Sequence, residues 1–391
     1  MTDGSAPGRG TVRAHTLLEV TPHLYPDVVG GIPLSVNGLA TALSNEFETT
    51  VVANWMGSTR PPTDRRYNLV TFPTRLVLLG NPISVRMFVW LLTHVADFDV
   101  VHAHSHLFLS STIAVVLAKL RGTHVVLTNH GFISFSQPIP LQHLWIVLVS
   151  KTILSMCDRI LCFSVADADR LVSSGADRSR ITIVPNGVDT SNFHPVERAS
   201  TGLLKLVWLG RIVREKGLRE LLVALARVKN LEARVHLTLV GEGPEETLLR
   251  QYVEEHRIST MVSFRKSVDN QEVPRVLASH DVMILPSLSE GLPRVVIEAL
   301  ATRMPVLCSS LPQLTATLED AAIYFPPGDV GAIADAIVWA EGNRNQLIEL
   351  GKRGRDLVDR KFVWEATVKN REQIFLDLIA KPSGQRRIPG S

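Results

Sequence analysis

The sequence predicts an α/β protein with two doubly wound domains, each built on a parallel sheet that helices cover. From His15 onward, short β-branched runs alternate with longer amphipathic segments, which is the pattern of parallel strands connected by helices. The alternation stops at residues 183–205, which are rich in Pro, Asn, Ser and Gly, and then starts again. A chain of 391 residues is also too long for one ordinary core. We therefore expect two domains joined by a linker.

Apolar runs in each half are the candidate strands. In the first half they are "HTLLEV", "TTVVAN", "NLVTF", "DVVHAH", "HVVLTN" and "RILCFS". In the second half they are "KLVWLG", "VHLTLVG", "MVSFRKS", "DVMILPS", "PVLCSS" and "AIYFPP". The final amphipathic run, "FVWEATVKNREQIFLDLIAK", has no strand after it, so we expect it to brace the first domain. The predicted domains are residues 13–195 and 204–362, followed by a returning helix over 363–380.

Composition narrows the class of function. A hydrophobic content of 45% and a charged content of 20% describe a soluble globule, and a net charge of +3 is too small for a nucleic-acid binder. The N-terminal stretch lacks the apolar core of a signal peptide, and no run approaches the roughly twenty apolar residues of a membrane helix. We expect a cytoplasmic protein, with peripheral contact at the cytoplasmic face of a membrane left open. Residues 141–157 are the candidate for that contact, and a buried core helix is the alternative interpretation.

Parallel sheets bind ligands outside the carboxyl ends of their strands, so the loops after strands are the places to seek chemistry. Gly30 and Gly31 follow the first strand, where paired glycines let backbone amides approach a phosphate or a sugar. A plain turn is the alternative. His130 ends another strand in "TNHGF", where a structural role and a functional role are both open.

Three further histidines, His102, His104 and His106, alternate in "VHAHSH", so they face the same way on an extended strand. A metal triad is conceivable. Such spacing on one parallel strand is rare for zinc without help from a carboxylate or a cysteine, and histidines of a substrate edge or of the core fit better.

The loop "WLGRIVREKGLRELL" places Arg211 and Lys216 between a strand and a helix. A planar guanidinium and a compact ammonium are a combination that holds a diphosphate. The alternative is a solvated basic turn in which Arg214 and its neighbours pair with Glu215 and Glu220.

The stretch "LPSLSEGLPRVVIEAL" places Glu290 in a loop and Glu298 inside the helix that follows. Pro293 is a natural first helical residue, and the free amides of that helix start form an anion site. Glu298 stands among apolar residues, where a carboxylate needs a hydrogen-bond partner or a cation. A ligand could supply the partner, and an arginine such as Arg303 is the structural alternative.

Asp167 and Asp169 have the DxD spacing by which some enzymes hold a metal ion. They open a predicted helix, where positions i and i+2 diverge by roughly 200°, so they cannot easily share one ion. Helix capping explains them better.

Taken together, "GRIVREKG", "GEGPEE", "LPSLSEGLPRVVIEALA" and "FPPGD" resemble the donor domain of the retaining glycosyltransferases of family 4. The resemblance extends through "VGGIP", "VHAHS", "NHG" and "VPNGVD". It implies a GT-B architecture, in which two Rossmann-like domains face an interdomain cleft and the C-terminal helix crosses back to the first domain. It also implies transfer of a hexose from a UDP- or GDP-linked donor to a hydroxyl of a lipid-linked or saccharide acceptor.

The resemblance implies a role for each matching residue. Arg211 and Lys216 would bind the donor diphosphate and stabilise the departing nucleotide without a metal ion or other cofactor. Glu298 would bind the ribose hydroxyls, while Glu290 would contact the transferred sugar near the reacting centre. His130 would lie beside that sugar as a fourth catalytic residue.

The remaining roles concern the edges of the site. The amides of Gly291 and Leu292 would help hold the sugar and the phosphate, and Lys266 and Val268 would border the base. The acceptor and phosphate loop would comprise Gly30, Gly31 and His104.

The sequence departs from the family in two loops. "LPQLTATLED" lacks the Gly-Gly and acidic residue common after its strand, and Arg265 and Lys266 stand where Leu-Gly is commoner, so the base stays open. Two other functions remain as alternatives: a GT-B sugar-nucleotide epimerase, and a catalytically silent subunit that binds a nucleotide sugar.

Overall fold

The structure is a computed structural model of the chain. It describes residues 14–28, 30–57, 61–78, 81–131, 145, 149–198, 202–231 and 234–380. By packing, the chain divides into two units, Met1–Thr128 with Leu148–Ile160 and Ile374–Ser391, and Asn129–Val147 with Leu161–Gln373. The predicted domain boundaries stay a prediction.

The strands of the first half are β1 (His15–Thr21), β2 (Phe47–Trp55), β3 (Asn68–Pro73), β4 (Val77–Leu78), β5 (Asn81–Pro82), β6 (Val100–His104), β7 (His124–Thr128), β8 (Arg159–Cys162) and β9 (Ile181–Ile183). Its helices are α1 (Gly31–Leu43), α2 (Val85–His94), α3 (Leu109–Arg121), α4 (Lys151–Met156) and α5 (Val165–Ser173), with 3₁₀ turns at Val95–Asp97 and Arg178–Arg180.

The strands of the second half are β10 (Leu204–Leu209), β11 (Val235–Val240), β12 (Val262–Arg265), β13 (Val282–Leu285), β14 (Val306–Ser309) and β15 (Ala322–Phe325). Its helices are α6 (Leu218–Arg227), α7 (Glu246–Glu255), α8 (Val273–Ala278), α9 (Arg294–Ala301), α10 (Pro312–Leu318), α11 (Val330–Gly342), α12 (Arg344–Lys361) and α13 (Trp364–Ile379), with 3₁₀ turns at Arg214–Lys216 and Lys229–Leu231.

The sequence predicted both large sheets correctly. A seven-stranded sheet has the order β3-β2-β1-β6-β7-β8-β9, and a six-stranded sheet has the order β12-β11-β10-β13-β14-β15. Their central strands are buried along most of their length, as the continuous β-branched runs require of a parallel sheet with covered faces. The prediction missed β9 and the antiparallel pair β4-β5, because elements of two or three residues carry no periodicity.

The strand order reverses once in each sheet, and that reversal positions the candidate sites. In the second sheet the chain runs from β10 outward through β11 and β12, and then continues on the other side of β10 with β13. The first sheet reverses in the same way between β1 and β6. Loops that leave adjacent parallel strands in opposite directions open a crevice at the carboxyl edge, where α/β sheets bind ligands.

Close backbone packing fixes the loops at the reversal in the second sheet. Gly217 has a φ of 66°, and a Cβ there would lie 2.0 Å from the carbonyl oxygen of Pro286. A Cβ on Gly241 would lie 1.8 Å from the carbonyl oxygen of Gly210. Only glycine allows these approaches, so the loops after β10, β11 and β13 are held close together.

The two ends of the final helix belong to different units. Near its start, Gly187 packs so closely that a Cβ would lie 2.7 Å from Trp364 Cα. Near its end, the buried ring of Phe375 packs edge-on against Phe47, with centroids 6.0 Å apart, and lies 5.3 Å from the ring of His102.

Two expectations about individual segments have different outcomes. Pro293 is the N-cap of α9 rather than its first helical residue, so the helix begins at Arg294. Of the apolar segment 141–157, the structure describes residues 145 and 149–157, which include α4. Within the described part of the chain, no helix is both long and apolar enough to cross a membrane.

Candidate active site

The loop after β10 carries two cations with different surroundings. Lys216 Nζ donates to Glu290 Oε1 at 2.6 Å, and its side chain is 22% exposed. Arg211 is exposed, and its guanidinium has no hydrogen bond or ion pair with any residue that the structure describes. The structure thus brings Lys216 to the predicted glutamate and leaves Arg211 available for an anion.

A third cation of this loop is a surface group. Arg214 binds Glu220 through two hydrogen bonds of 2.9 and 2.6 Å, as the solvated-turn interpretation expected for that residue. Paired exposed charges of this kind contribute little to stability or to binding. Arg214 therefore provides a natural control for the other two.

The loop after β13 holds Glu290 through three contacts. Its Oε1 accepts from Lys216 Nζ and, at 2.8 Å, from the hydroxyl of buried Ser287, while its backbone carbonyl accepts from Gln313 Nε2. Its Oε2 has no partner among the described residues. Glu290 is therefore fixed in place with one oxygen uncommitted.

Glu298 lies in α9, and its carboxylate has a single hydrogen bond within the described chain. Arg294 Nε donates to its Oε1 at 2.8 Å, and the carboxylate is 5% exposed. The expected structural partner, Arg303, was wrong, because Arg303 follows the helix and lies 3.2 Å from Glu197 instead. Burial raises the pKa of Glu298 above its ordinary value, and the charge and hydrogen bond of Arg294 lower it in part.

The start of α9 is free to bind an anion. Pro293 offers no side chain to cap the first amides, and no acidic residue occupies the first turn. The amide of Val296 donates to the carbonyl oxygen of Pro293 at 3.1 Å, but no side chain of the helix neutralises the partial positive charge of its start.

Residues from two more loops complete this edge of the second sheet. Lys266 is exposed after β12, and Val268 packs against the core. Ser267 between them donates to Glu242 Oε2 at 2.5 Å, which ties the loop after β12 to the loop after β11.

Comparisons with known proteins support a single family. Models described as "Glycosyltransferase Family 4" and "Glycosyl transferases group 1" match residues 29–192 and 189–357. A glycogen synthase of Mycobacterium tuberculosis is 24% identical over 408 residues, which cover 95% of this chain and 96% of that protein. An MMP alpha-(1->4)-mannosyltransferase of Mycolicibacterium hassiacum is 28% identical over 306 residues, covering 73% and 72%.

Solved structures show the same fold. A sucrose-phosphate synthase of Thermosynechococcus elongatus has a TM-score of 0.77 at 21% identity and covers 94% of this chain and 99% of its own. HepE of Anabaena has a TM-score of 0.74 at 14% identity, covering 93% and 99%. The chain belongs to the family 4 glycosyltransferases. Its expected GT-B fold class, with two parallel sheets of Rossmann type, is confirmed.

In this glycosyltransferase, His130 and the residues after Glu290 are neighbours. A Cβ on Gly291 would lie 3.4 Å from the carbonyl oxygen of His130, whose ring packs edge-on to Phe163 at 5.3 Å. Leu292 is 5% exposed. His130 thus lies beside the loop of Glu290, although it precedes that loop by 160 positions in sequence.

The reversal in the first sheet contains a closed polar cluster that the sequence did not predict. Glu19 on β1 lies opposite His102 on β6 in the strand register. His102 Nδ1 lies 3.1 Å from Glu19 Oε1 and 2.9 Å from Oε2, and His104 Nε2 lies 2.6 Å from Oε2. The second ring nitrogen of His102 meets Thr128 Oγ1 at 2.7 Å. His102 and His104 do face the same way, but both rings are buried.

The two histidines determine the pKa of Glu19. Burial alone would raise the pKa of Glu19, but attraction to His102 and hydrogen bonds from both histidines lower it from 4.5 to about 2. Glu19, His102 and His104 are close enough to ligate a metal ion. Their mutual hydrogen bonds already account for the arrangement, and we assign them no metal.

The remaining predicted residues of the first unit lie at the start of α1. Gly30 is its N-cap with extended backbone, and a Cβ on Gly31 would point into open space. The roles predicted for Gly30, Gly31 and His104 in acceptor binding stay predictions.

The two aspartates of the DxD pair make separate contacts at α5, whose N-cap is Ser164. Ser164 caps α5 by accepting from the amide of Asp167 at 3.1 Å, and its hydroxyl donates to Asp167 Oδ2 at 2.8 Å. Asp169 is exposed and lies 3.8 Å from Arg178. The two aspartates serve different partners.

Proposed function

We propose that this glycosyltransferase transfers a hexose from a UDP- or GDP-linked donor to a hydroxyl of a lipid-linked or saccharide acceptor, with retention at the anomeric carbon and without a metal ion. The observation that carries the proposal is the cluster at the reversal of the second sheet. There Lys216 pairs with Glu290 at 2.6 Å, exposed Arg211 stands nearby in the same loop, and α9 begins with uncapped amides.

These groups match the charges that the reaction creates. When the bond between the anomeric carbon and the phosphate oxygen breaks, its electron pair stays on the diphosphate. Arg211, Lys216 and the amides of α9 supply positive charge for that group. The acceptor oxygen then bonds to the anomeric carbon, and its proton passes to the departing phosphate.

The two glutamates serve different parts of the donor. Glu290 would contact the sugar through its uncommitted Oε2, and Glu298 would accept from the ribose hydroxyls. A solved relative supports a donor of this class, since HepE was crystallised with UDP and glucose.

A comparison of variants tests this assignment. We expect Lys216→Ala and Arg211→Ala each to reduce kcat with the active donor by about 100- to 1,000-fold, because each removes charge that stabilises the leaving group. The active donor is first identified by incubating the unmodified protein with UDP-hexoses and GDP-hexoses and measuring the release of free nucleotide. Arg214→Ala is the matched control and should retain activity. Turnover close to that of the unmodified protein in Lys216→Ala would refute the assignment.

The proposed membrane contact uses a surface of the first unit that we call the α2 surface. It comprises the exposed side chains Leu76, Val77, Leu78, Val85, Val89 and Leu92. Val85 is 71% exposed, and Leu76 is 59% exposed. Between Asp64 and Asp97 the sequence has no acidic residue, whereas Arg75 and Arg86 are exposed within this stretch. Protruding apolar side chains flanked by arginines fit the interface of an anionic bilayer.

Vesicle sedimentation tests this contact separately from catalysis. The protein should sediment with vesicles that contain phosphatidylglycerol and much less with phosphatidylcholine vesicles. The double variant Val85→Asp, Val89→Asp should lose sedimentation and keep activity on a soluble acceptor or in donor hydrolysis. Equal sedimentation of the double variant would show that membrane contact does not use the α2 surface.

A further inference from the structure

The pair of Arg294 and Glu298 is not explained by helix stability. Arg294 is the first residue of α9, where the partial positive charge of the helix start disfavours a cation. The order of the pair, with the cation four residues before the carboxylate, is also the weaker order for a helical ion pair. Another role must account for an arginine at this position.

Among the described residues, no other charged side chain forms an ion pair with Arg294 or Glu298. Lys216 forms an ion pair with Glu290, and Arg303 forms one with Glu197. On α12, which packs against α9, Arg355 donates to Asp359 and to backbone carbonyl oxygens. The packed strand β14 carries no charged residue. Arg294 is therefore the cation that counters the desolvation of Glu298 and lowers its pKa.

The pair also leaves hydrogen-bonding capacity unused. Arg294 donates only through Nε, and only Oε1 of Glu298 accepts within the described chain. Arg214 and Glu220, by contrast, meet through two bonds. A buried carboxylate held by one oxygen keeps acceptor sites for a ligand.

We propose that Arg294 is a positioning residue of the donor site, which holds the Glu298 carboxylate as the acceptor for the two vicinal hydroxyls of the donor ribose. This inference rests on the proposed function. A vicinal diol presents two O–H donors, and an ionised carboxylate can accept both. A protonated carboxyl group has one oxygen that donates instead, so it matches the diol less well.

The test compares the affinity for a ribonucleoside diphosphate with that for its 2′,3′-dideoxy analogue, using UDP and GDP, between pH 5.5 and 8.5. The terminal phosphate titrates near pH 6, but it does so in both nucleotides and cancels in the ratio of affinities. We expect the unmodified protein to prefer the ribonucleotide by about 10- to 100-fold across this range, because two hydrogen bonds to a charged group are lost with the hydroxyls.

In Arg294→Met the carboxyl group of Glu298 loses its cation, so its pKa rises further and its protonated fraction increases towards the lower end of the range. The preference should fall to about threefold at low pH and recover as the pH rises. Arg294→Lys should restore most of the preference, and Glu298→Gln should lower it equally at every pH. Arg303→Met is the matched control and should behave as the unmodified protein.

The outcomes separate this inference from the proposed function. If the unmodified protein binds neither nucleoside diphosphate, the proposed function fails and the inference fails with it. If it binds them with the expected preference, and Arg294→Met keeps that preference at all pH values, the inference alone is overturned. An equal loss of affinity for both nucleotides in Arg294→Met would also overturn it, since the arginine would then act on the structure of the loop.

Discussion

Each half of the molecule buries a glutamate near the reversal of its sheet, and the two glutamates have different partners. Glu19 has hydrogen bonds at both oxygens, to His102 and His104. Glu298 has one bond at one oxygen, from Arg294. The pKa of Glu19 is lowered to about 2, whereas burial raises the pKa of Glu298.

The difference separates a structural carboxylate from one that is available to a ligand. A buried charge must be satisfied, and Glu19 is satisfied wholly by the protein. Glu298 and Glu290 each keep an oxygen without a partner in the described chain, at the edge where parallel sheets bind ligands. The number of carboxylate oxygens that accept hydrogen bonds from the protein therefore distinguishes the two kinds of site better than burial does.

The largest effect is expected on stability when Glu19 is removed. Glu19→Ala leaves two buried imidazoles without their carboxylate, and it should reduce the free energy of unfolding of the first unit by about 3–5 kcal/mol. Hydrogen exchange with peptide mass analysis should locate the loss at β1 and β6. Glu298→Ala should cost about 1 kcal/mol or less, because Arg294 is 21% exposed and can turn to water. Similar costs for the two variants would invalidate the comparison.

The pH dependence of stability should have opposite signs at the two glutamates. The folded pKa of Glu19 is depressed, so its contribution is present above its ordinary pKa of 4.5 and is lost as the pH falls towards about 2. This loss amounts to about 3 kcal/mol, and Glu19→Gln should show much less of it. The folded pKa of Glu298 is raised, so its contribution is present at low pH and is lost as the pH rises through that pKa.

Urea unfolding at pH 3, 5 and 7 measures both signs. The variant Glu298→Gln should be closer to the unmodified protein in acid and relatively more stable at neutral pH. If the free energy of unfolding of Glu19→Gln falls in acid as much as that of the unmodified protein, other carboxylates cause the decrease.

The sequence predicted both sheets correctly and indicated where to look for the candidate site, because each has a long-range pattern. Continuous apolar runs identify covered parallel strands, and the spacing of Arg211, Lys216 and Glu290 identifies the loops that meet at the carboxyl edge. The burial of Glu298 was also predictable, from the valines and isoleucine around it.

The partners of these residues were not predictable, because hydrogen bonds across loops leave no period in the sequence. Gln313 donates to the backbone carbonyl of Glu290 from α10, in a segment where the sequence showed only a missing glycine pair. Two partners did leave a local signal. Ser287 stands three residues before Glu290, and Arg294 stands one helical turn before Glu298. Glu19 was missed because a single glutamate in the strand "HTLLEV" has no partner until the sheet brings β6 beside it.

Two hydroxyls support the two kinds of site, and we expect each to contribute less than Glu19 does. Ser287→Ala removes one donor to Glu290 Oε1 but leaves Lys216 in place, so the fold should be little affected and kcat should fall by about tenfold. Thr128→Val removes the hydroxyl at the ring of His102, and because that ring is buried, stability should fall by about 1–3 kcal/mol. Its kcat at a temperature well below unfolding should stay within about twofold of the unmodified value. A loss of kcat in Thr128→Val at full folding would mean that the closed cluster of Glu19 acts in catalysis as well as in stability.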